Sequence, residues 1–108
     1  NGTQAKDEGA LPLTAAQSAT LKQGLKLVTG PNGTAASAFA NLGYNDFLGK
    51  SGTAEDSGEQ SHVDFVAAAP AETPTVLCTV FLDHGTSGST QAGPIARDIV
   101  LAALAEGL

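Results

Sequence analysis

The chain has 108 residues, a net charge of −6 and a pI of about 4.5. This length predicts one domain, and the acidic charge argues against a nucleic-acid partner because a phosphate backbone would repel it. The single cysteine, Cys78, excludes an internal disulfide and a cysteine metal cluster. The longest apolar runs are shorter than ten residues, and a membrane span requires about 20. The largely polar residues 1–13 are predicted to form a linker.

The first predicted helix covers residues 14–29. Thr14 and Gln17 have the spacing of a capping box, and Gly30 ends the helical pattern. Three apolar residues recur at helical spacing and form one stripe: Leu21, Leu25 and Val28. A glycine inside a helix costs stability, so Gly24 predicts close packing at that position.

A short helix and three strands are predicted next. The helix covers 34–42, and the strands cover 44–54, 62–69 and 75–82. On the second strand, alternating apolar residues share one face: Val63, Phe65 and Ala67. The third strand is apolar on both faces, which predicts a central strand that is covered on both sides. The short connections make the three strands antiparallel neighbours.

Residues 83–92 are predicted to form a loop, and a last helix follows over 93–106. Pro94 suits a first helical position, and Gly107 ends the helix. Its apolar stripe is predicted to contain Ile95, Ile99, Ala102 and Ala103. The whole pattern predicts an α+β fold: a helix, a three-stranded antiparallel sheet spanning residues 44–83, and a C-terminal helix.

The segment Gly49-Lys50-Ser51-Gly52-Thr53 admits three interpretations. A phosphate-binding P-loop would need four residues between its glycines, but Gly43 and Gly49 enclose five, and no helix pattern follows. The second interpretation is a strand with glycines and an exposed lysine near a turn. The third is the lysine–hydroxyl–glycine element of a serine acyl-transfer site. Its ammonium and hydroxyls would hold a substrate carboxylate, and Gly52 would leave space for the substrate backbone.

Four segments in order favour the third interpretation. They read LPLTAAQSATLKQGLKLVTGPNGTAASAF, FLGKSGTAE, HVDFVAAAPAETPTVLCTVFLDHG and AGPIARDIVLAAL. This series resembles the C-terminal part of the transpeptidase domain of class B penicillin-binding proteins, and the resemblance covers nearly the whole chain. The family's fold has a five-stranded antiparallel sheet with helices on both faces. The resemblance implies that residues 1–108 are the C-terminal portion of a single transpeptidase domain.

The function implied by this resemblance is that of a peptidoglycan D,D-transpeptidase, which cross-links stem peptides through an acyl-serine intermediate. Lys50 would assist the proton relay and attract the substrate carboxylate. Ser51 and Thr53 would bind that carboxylate through their hydroxyls, and the backbone N–H of Thr53 would form part of the oxyanion hole. The expected partners are the D-Ala-D-Ala end of the stem peptide, β-lactam antibiotics and the N-terminal remainder of the same protein, with no cofactor. The expected location is the extracytoplasmic face of a bacterial membrane, with an anchor outside this chain.

Two departures from the family pattern stand out. No serine is followed by lysine three positions later or by asparagine two positions later, so the family's S-x-x-K and S-x-N motifs are missing. We therefore expect a fragment that supplies the lysine–serine–glycine motif without the nucleophile and that is inactive alone. Asp64 replaces the family's usual aromatic residue and predicts either a solvent-facing side chain or looser packing. A non-catalytic homologue or β-lactam sensor is the alternative function, and a β-lactamase is a third.

The remaining polar residues suggest no further chemistry. His62 and His84 are predicted to be solvated, and no histidine–carboxylate pair has metal-ligand spacing, so no metal site is predicted. Arg97 and Asp98 are predicted at the surface. Three acidic residues beside the motif predict a solvated loop: Glu55, Asp56 and Glu59. The alternative interpretation is that this loop flanks the substrate cleft and tunes access for the acceptor strand.

Overall fold

The computed structural model describes residues 5–55 and 61–108. Its elements in chain order are α1 (Ala15–Thr29), α2 (Ala36–Phe39), β1 (Leu48–Ala54), β2 (His62–Ala69), β3 (Val76–Leu82), a π-helical turn (Gly88–Ala92) and α3 (Gly93–Ala105). The predicted α+β class, with its antiparallel three-stranded sheet between helices, is confirmed. None of the described helices has the length and apolar character that a membrane span needs.

Helix α1 begins with the capping box that the sequence predicts. Thr14 Oγ1 accepts a hydrogen bond from the Gln17 N–H at 3.1 Å, and Gln17 Oε1 accepts one from the Thr14 N–H at 2.9 Å. These bonds satisfy two backbone donors that the first turn would otherwise leave free. Leu25 then packs against Leu48 and Ala68, so α1 is fixed to the start of β1.

The close packing predicted at Gly24 is wrong. A Cβ added there meets nothing within 4 Å, because this face of α1 points away from the sheet. We therefore expect Gly24→Ala to raise the free energy of unfolding by about 0.5–1 kcal/mol, since alanine orders the helix at lower entropic cost. Urea unfolding of the chain measures this change.

Gly33→Ala is the matched control for this substitution. A Cβ at Gly33 would overlap the carbonyl oxygens of Leu27 and Val28, so the same change should destabilise the chain. Equal effects of the two alanine substitutions would contradict the account of Gly24.

The sheet order β1-β2-β3 makes β2 the central strand. Among the three described strands, β2 and not the predicted third strand is therefore the central one. Strand β3 lies at an edge, and Leu77 and Phe81 on its outer face are 67% and 61% exposed. An unbroken apolar run is compatible with a central strand or with an edge strand whose second face stays open, and periodicity cannot separate the two.

The core lies between the inner face of the sheet and α3. The predicted alternation on β2 is confirmed, because Val63, Phe65 and Ala67 are all fully buried. Helix α3 meets them with small residues, and its buried positions are Gly93, Ala96 and Val100. The predicted stripe on α3 is thus wrong by one position: Ile95 and Ile99 are exposed, because the small side chains of the helix allow the close approach to the sheet.

The segment before α3 is more ordered than the predicted loop. Ser87 Oγ accepts a hydrogen bond from the Thr90 N–H at 3.3 Å, and Gln91 Oε1 accepts two from the Thr86 and Ser87 N–H groups at 2.6 and 2.8 Å. Side-chain caps of this kind give the backbone local partners outside regular helix. The resulting π-helical turn packs against β2 and leads directly into α3.

Candidate functional site

The four predicted site residues occupy consecutive positions of β1, the other edge strand of the sheet. Because side chains alternate across a strand, Lys50 and Gly52 share the outer face, whereas Ser51 and Thr53 share the face toward α3. The hydroxyl-bearing residues are two positions apart, a spacing of about 7 Å along a strand. A molecule lying along the edge of β1 can therefore reach both hydroxyls and the lysine.

Lys50 brings an exposed positive charge to this edge. Its Nζ donates a hydrogen bond to the Ser51 carbonyl oxygen at 2.6 Å. A carbonyl partner orients the ammonium without neutralising its charge, so the group keeps its attraction for a carboxylate. Ser51 is half-buried, and Thr53 is exposed.

Asp64 lies beside Gly52 on the outer face of the sheet. The two residues are antiparallel partners, and a Cβ at Gly52 would lie 2.5 Å from Asp64 Oδ1. The Asp64 carboxylate thus covers Gly52 on the outer face of the sheet. The side chain is half-buried, so it is partly exposed to solvent on this face.

Gly88 brings the π-helical turn against the backbone of the motif strand. A Cβ there would lie 2.9 Å from the Gly52 carbonyl oxygen and still closer to that of Asp64. Any larger residue would push the turn away from β1 and β2. Sequence reasoning missed this contact, and the only available signal was a glycine in a polar segment that the predicted loop already accommodated.

The entry to β1 is fixed by polar contacts. Lys26 Nζ lies 3.1 Å from Asp46 Oδ1, and Asp46 Oδ2 accepts a hydrogen bond from the Ala71 N–H at 3.2 Å. Burial, followed by the neighbouring Asp46 carboxylate, raises the pKa of the Tyr44 hydroxyl. These contacts hold the segment before β1 to α1 and to the end of β2, which sets the position of the motif strand.

Arg97 is less exposed than the sequence predicts. Its Nη1 donates a hydrogen bond to the Ala38 carbonyl oxygen at 2.5 Å, which connects α3 to α2. Its Nε donates to Asp98 Oδ1 at 2.8 Å, and this hydrogen bond lowers the pKa of the exposed Asp98 carboxyl.

His84 is exposed, as the sequence predicts, whereas His62 is half-buried. The structure brings His62 and His84 together around Asp83, with the potential ligand atoms of all three within 4.8 Å of one another. Spacing along the sequence could not reveal this cluster, because the pairing of β2 with β3 joins residues that are about twenty positions apart. Of the predicted acidic loop, Glu55 is exposed, and Asp56 and Glu59 lie outside the described residues.

Comparison with known proteins identifies the family. The model of the penicillin binding protein transpeptidase domain matches residues 2–101. The chain is 33% identical over 104 residues to the peptidoglycan D,D-transpeptidase MrdA of Haemophilus influenzae, covering 82% of this chain and 16% of that protein.

Two solved structures agree with this assignment. The crystal structure of Pseudomonas aeruginosa PBP2 in complex with WCK 5153 covers 74% of this chain, with a TM-score of 0.65 and 36% identity. The penicillin-binding protein PBP2 from Helicobacter pylori covers 90%, with a TM-score of 0.70 and 26% identity. The chain spans only 17% and 19% of those two chains. The ordered segments around Lys50, the sheet that holds them and these matches together establish that the chain belongs to the penicillin-binding protein transpeptidase domain family, in its class B branch.

Proposed function

We propose that this chain is the C-terminal portion of a peptidoglycan D,D-transpeptidase and supplies part of its active site. The observation that carries the proposal is the lysine–serine–glycine–threonine series on an edge strand, within a family match over residues 2–101. An edge strand offers backbone and side-chain groups to an extended peptide in the manner of strand addition.

The proposed reaction is a two-step acyl transfer. A serine Oγ outside this chain attacks the carbonyl of the penultimate D-alanine, forms an acyl-enzyme ester and releases the terminal D-alanine. The amine of a second peptide strand then attacks the ester, forms the cross-link and returns the proton to the serine. A β-lactam acylates the same serine when its ring amide opens.

Lys50, Ser51 and Thr53 have distinct roles in this proposal. The Lys50 ammonium gives the site a positive potential that attracts the free carboxylate of the peptide and assists proton transfer to and from the serine. The hydroxyls of Ser51 and Thr53 donate hydrogen bonds to that carboxylate. The backbone N–H of Thr53 stabilises the oxyanion of the tetrahedral intermediate together with a second donor outside the chain.

The remainder of the protein completes the enzyme. It would supply the S-x-x-K and S-x-N motifs, which are absent from these 108 residues, and an anchor to the outer face of the membrane. The isolated chain should therefore be inactive.

Fluorescent penicillin and a D-Ala-D-Ala peptide test this proposal on the full-length protein. Covalent labelling together with release of D-alanine supports a transpeptidase. Labelling without peptide turnover or cross-linking would instead favour the alternative, a non-catalytic β-lactam-binding homologue. Covalent labelling of the isolated 108-residue chain would contradict the absence of the nucleophile.

Ser51→Ala and Thr53→Ala should each raise KM for the peptide about tenfold in the full-length protein. A hydrogen bond to a charged group contributes roughly 1.5 kcal/mol or more, and each substitution removes one hydroxyl donor while leaving the backbone N–H in place. Thr79→Ala is the matched control, because Thr79 is an exposed threonine on β3. KM is measured by D-alanine release. An unchanged KM in both variants would contradict the assignment of Ser51 and Thr53 as carboxylate ligands.

A further inference from the structure

A second cluster of polar side chains lies at the end of the sheet formed by the start of β2 and the end of β3. His62 begins β2, and Val63 pairs with Leu82, so the residues just beyond this pair come to lie side by side. His62 Nδ1 is 2.5 Å from Asp83 Oδ1, and His84 Nε2 is 3.8 Å from Asp83 Oδ2.

The composition of this cluster suits a borderline transition metal. Two imidazoles and one carboxylate form a ligand set typical of Zn²⁺, whereas Ca²⁺ and Mg²⁺ prefer oxygen ligands alone. We propose that His62, Asp83 and His84 form a Zn²⁺ site at this end of the sheet. Nothing in the proposed acyl transfer requires it, so the two proposals stand independently.

The distances between the potential ligand atoms of the three side chains are close to those around a bound ion. Ligand atoms around a tetrahedral Zn²⁺ lie about 3.3 Å apart when each is about 2.0–2.1 Å from the metal. The His62–Asp83 pair at 2.5 Å must open slightly, and the widest pair, within 4.8 Å, must close. The imidazole and carboxylate groups turn about their χ angles, and this rotation changes the distances between their ligand atoms while the backbone stays in place.

The backbone already holds the three residues in place. The Gly85 N–H donates a hydrogen bond to the Ser61 carbonyl oxygen at 2.6 Å, which joins the chain on both sides of the cluster. His84 has a φ of 63°, and this left-handed turn directs the chain back toward β2. The rings of His62 and His84 have centroids 5.8 Å apart.

Exposure to solvent gives the ion an entry path. The side chain of His62 is 23% exposed, whereas those of His84 and Asp83 are 47% and 66% exposed. Three protein ligands leave a fourth position for water, so the site should exchange its ion readily. A bound ion would join the start of β2 to the residues that follow β3. His62 pairs with Ala54, the residue next to Thr53 on β1, so the ion would lie near the end of the motif strand.

The test is Zn²⁺ titration of the EDTA-treated full-length protein by calorimetry, with Co²⁺ as an optical probe of four-coordinate geometry. Asp83→Asn removes the carboxylate, and His84→Asn removes an imidazole while keeping a residue that tolerates positive φ. Each should raise the dissociation constant of one Zn²⁺ equivalent about tenfold or more and abolish the matching Co²⁺ absorption. Asp98→Asn is the matched control, because Asp98 has the same 66% side-chain exposure as Asp83.

Circular dichroism of the metal-free proteins establishes that each variant is folded. The site is supported if the Asp83 and His84 variants each lose one equivalent of bound Zn²⁺ and the Asp98 variant retains it. Equal binding by the wild type and by both cluster variants would overturn it, as would the absence of Zn²⁺ binding to the wild type.

Discussion

Lys50→Ala in the full-length protein should slow acylation by penicillin about 100-fold or more, as expected when an electrostatic group of an acyl-transfer site is removed. The Lys50 ammonium is exposed on the edge strand, and its contact in the described part of the chain is a neutral carbonyl oxygen. In the proposed active site, its charge is therefore available to the β-lactam carboxylate and to the reacting serine. The second-order rate constant with fluorescent penicillin measures the loss.

Lys22→Ala provides the matched control for this experiment. Lys22 Nζ also donates to a backbone carbonyl oxygen, that of Glu72 at 2.5 Å, but it lies on α1. Removing it changes the net charge by the same amount and should leave the acylation rate within about twofold, since a distant surface charge is screened by salt. Equal rates for the Lys50 and Lys22 variants would contradict the assignment of Lys50 to the active site.

Phe65→Ala should cost the chain about 3–5 kcal/mol in free energy of unfolding, the range for truncating a buried phenylalanine. Phe65 is fully buried on the central strand, and its ring stacks on that of Phe39 at a centroid distance of 5.7 Å. A loss of this size is a large part of the about 5–15 kcal/mol that stabilises a typical domain. Urea unfolding in a stabilising osmolyte measures it.

Phe81→Ala is the control within the same sheet. Phe81 lies on the neighbouring strand and is 61% exposed, so its truncation should cost less than about 1 kcal/mol in the same chain. Equal costs for the two substitutions would mean that the outer face of the sheet is as well packed as the inner face.

Local patterns in the sequence predicted those parts of the fold that depend on neighbouring residues. The Thr14–Gln17 capping box and the alternation around Phe65 both follow from contacts a few residues long, and both are present in the structure. The burial of α3 was mispredicted because Ile95 is more apolar than Ala96, yet only the smaller residue fits against the sheet. The position of β3 depends on which strands flank it, and its own residues do not encode that.

The candidate site also has features that the sequence could predict and features that depend on distant contacts. The four motif residues were located from the resemblance of their segment to the family's motif, and strand alternation then separates Lys50 from Ser51. The contacts that support them could not be predicted. The approach of Asp64 to Gly52, like the meeting of His62 with Asp83, requires the register between strands, which a single sequence leaves open.

The contact of Gly88 with the motif strand has a consequence for antibiotic resistance. The turn that contains Gly88 rests on the Gly52 carbonyl oxygen, so it limits where β1 can lie. A substitution in this turn would move the Ser51 and Thr53 hydroxyls, which we propose bind the substrate carboxylate, without contacting a drug. Because misplacing reacting groups by about 1 Å can cost on the order of 100-fold in rate, we expect reduced β-lactam susceptibility to arise here as well as at the residues that bind the antibiotic.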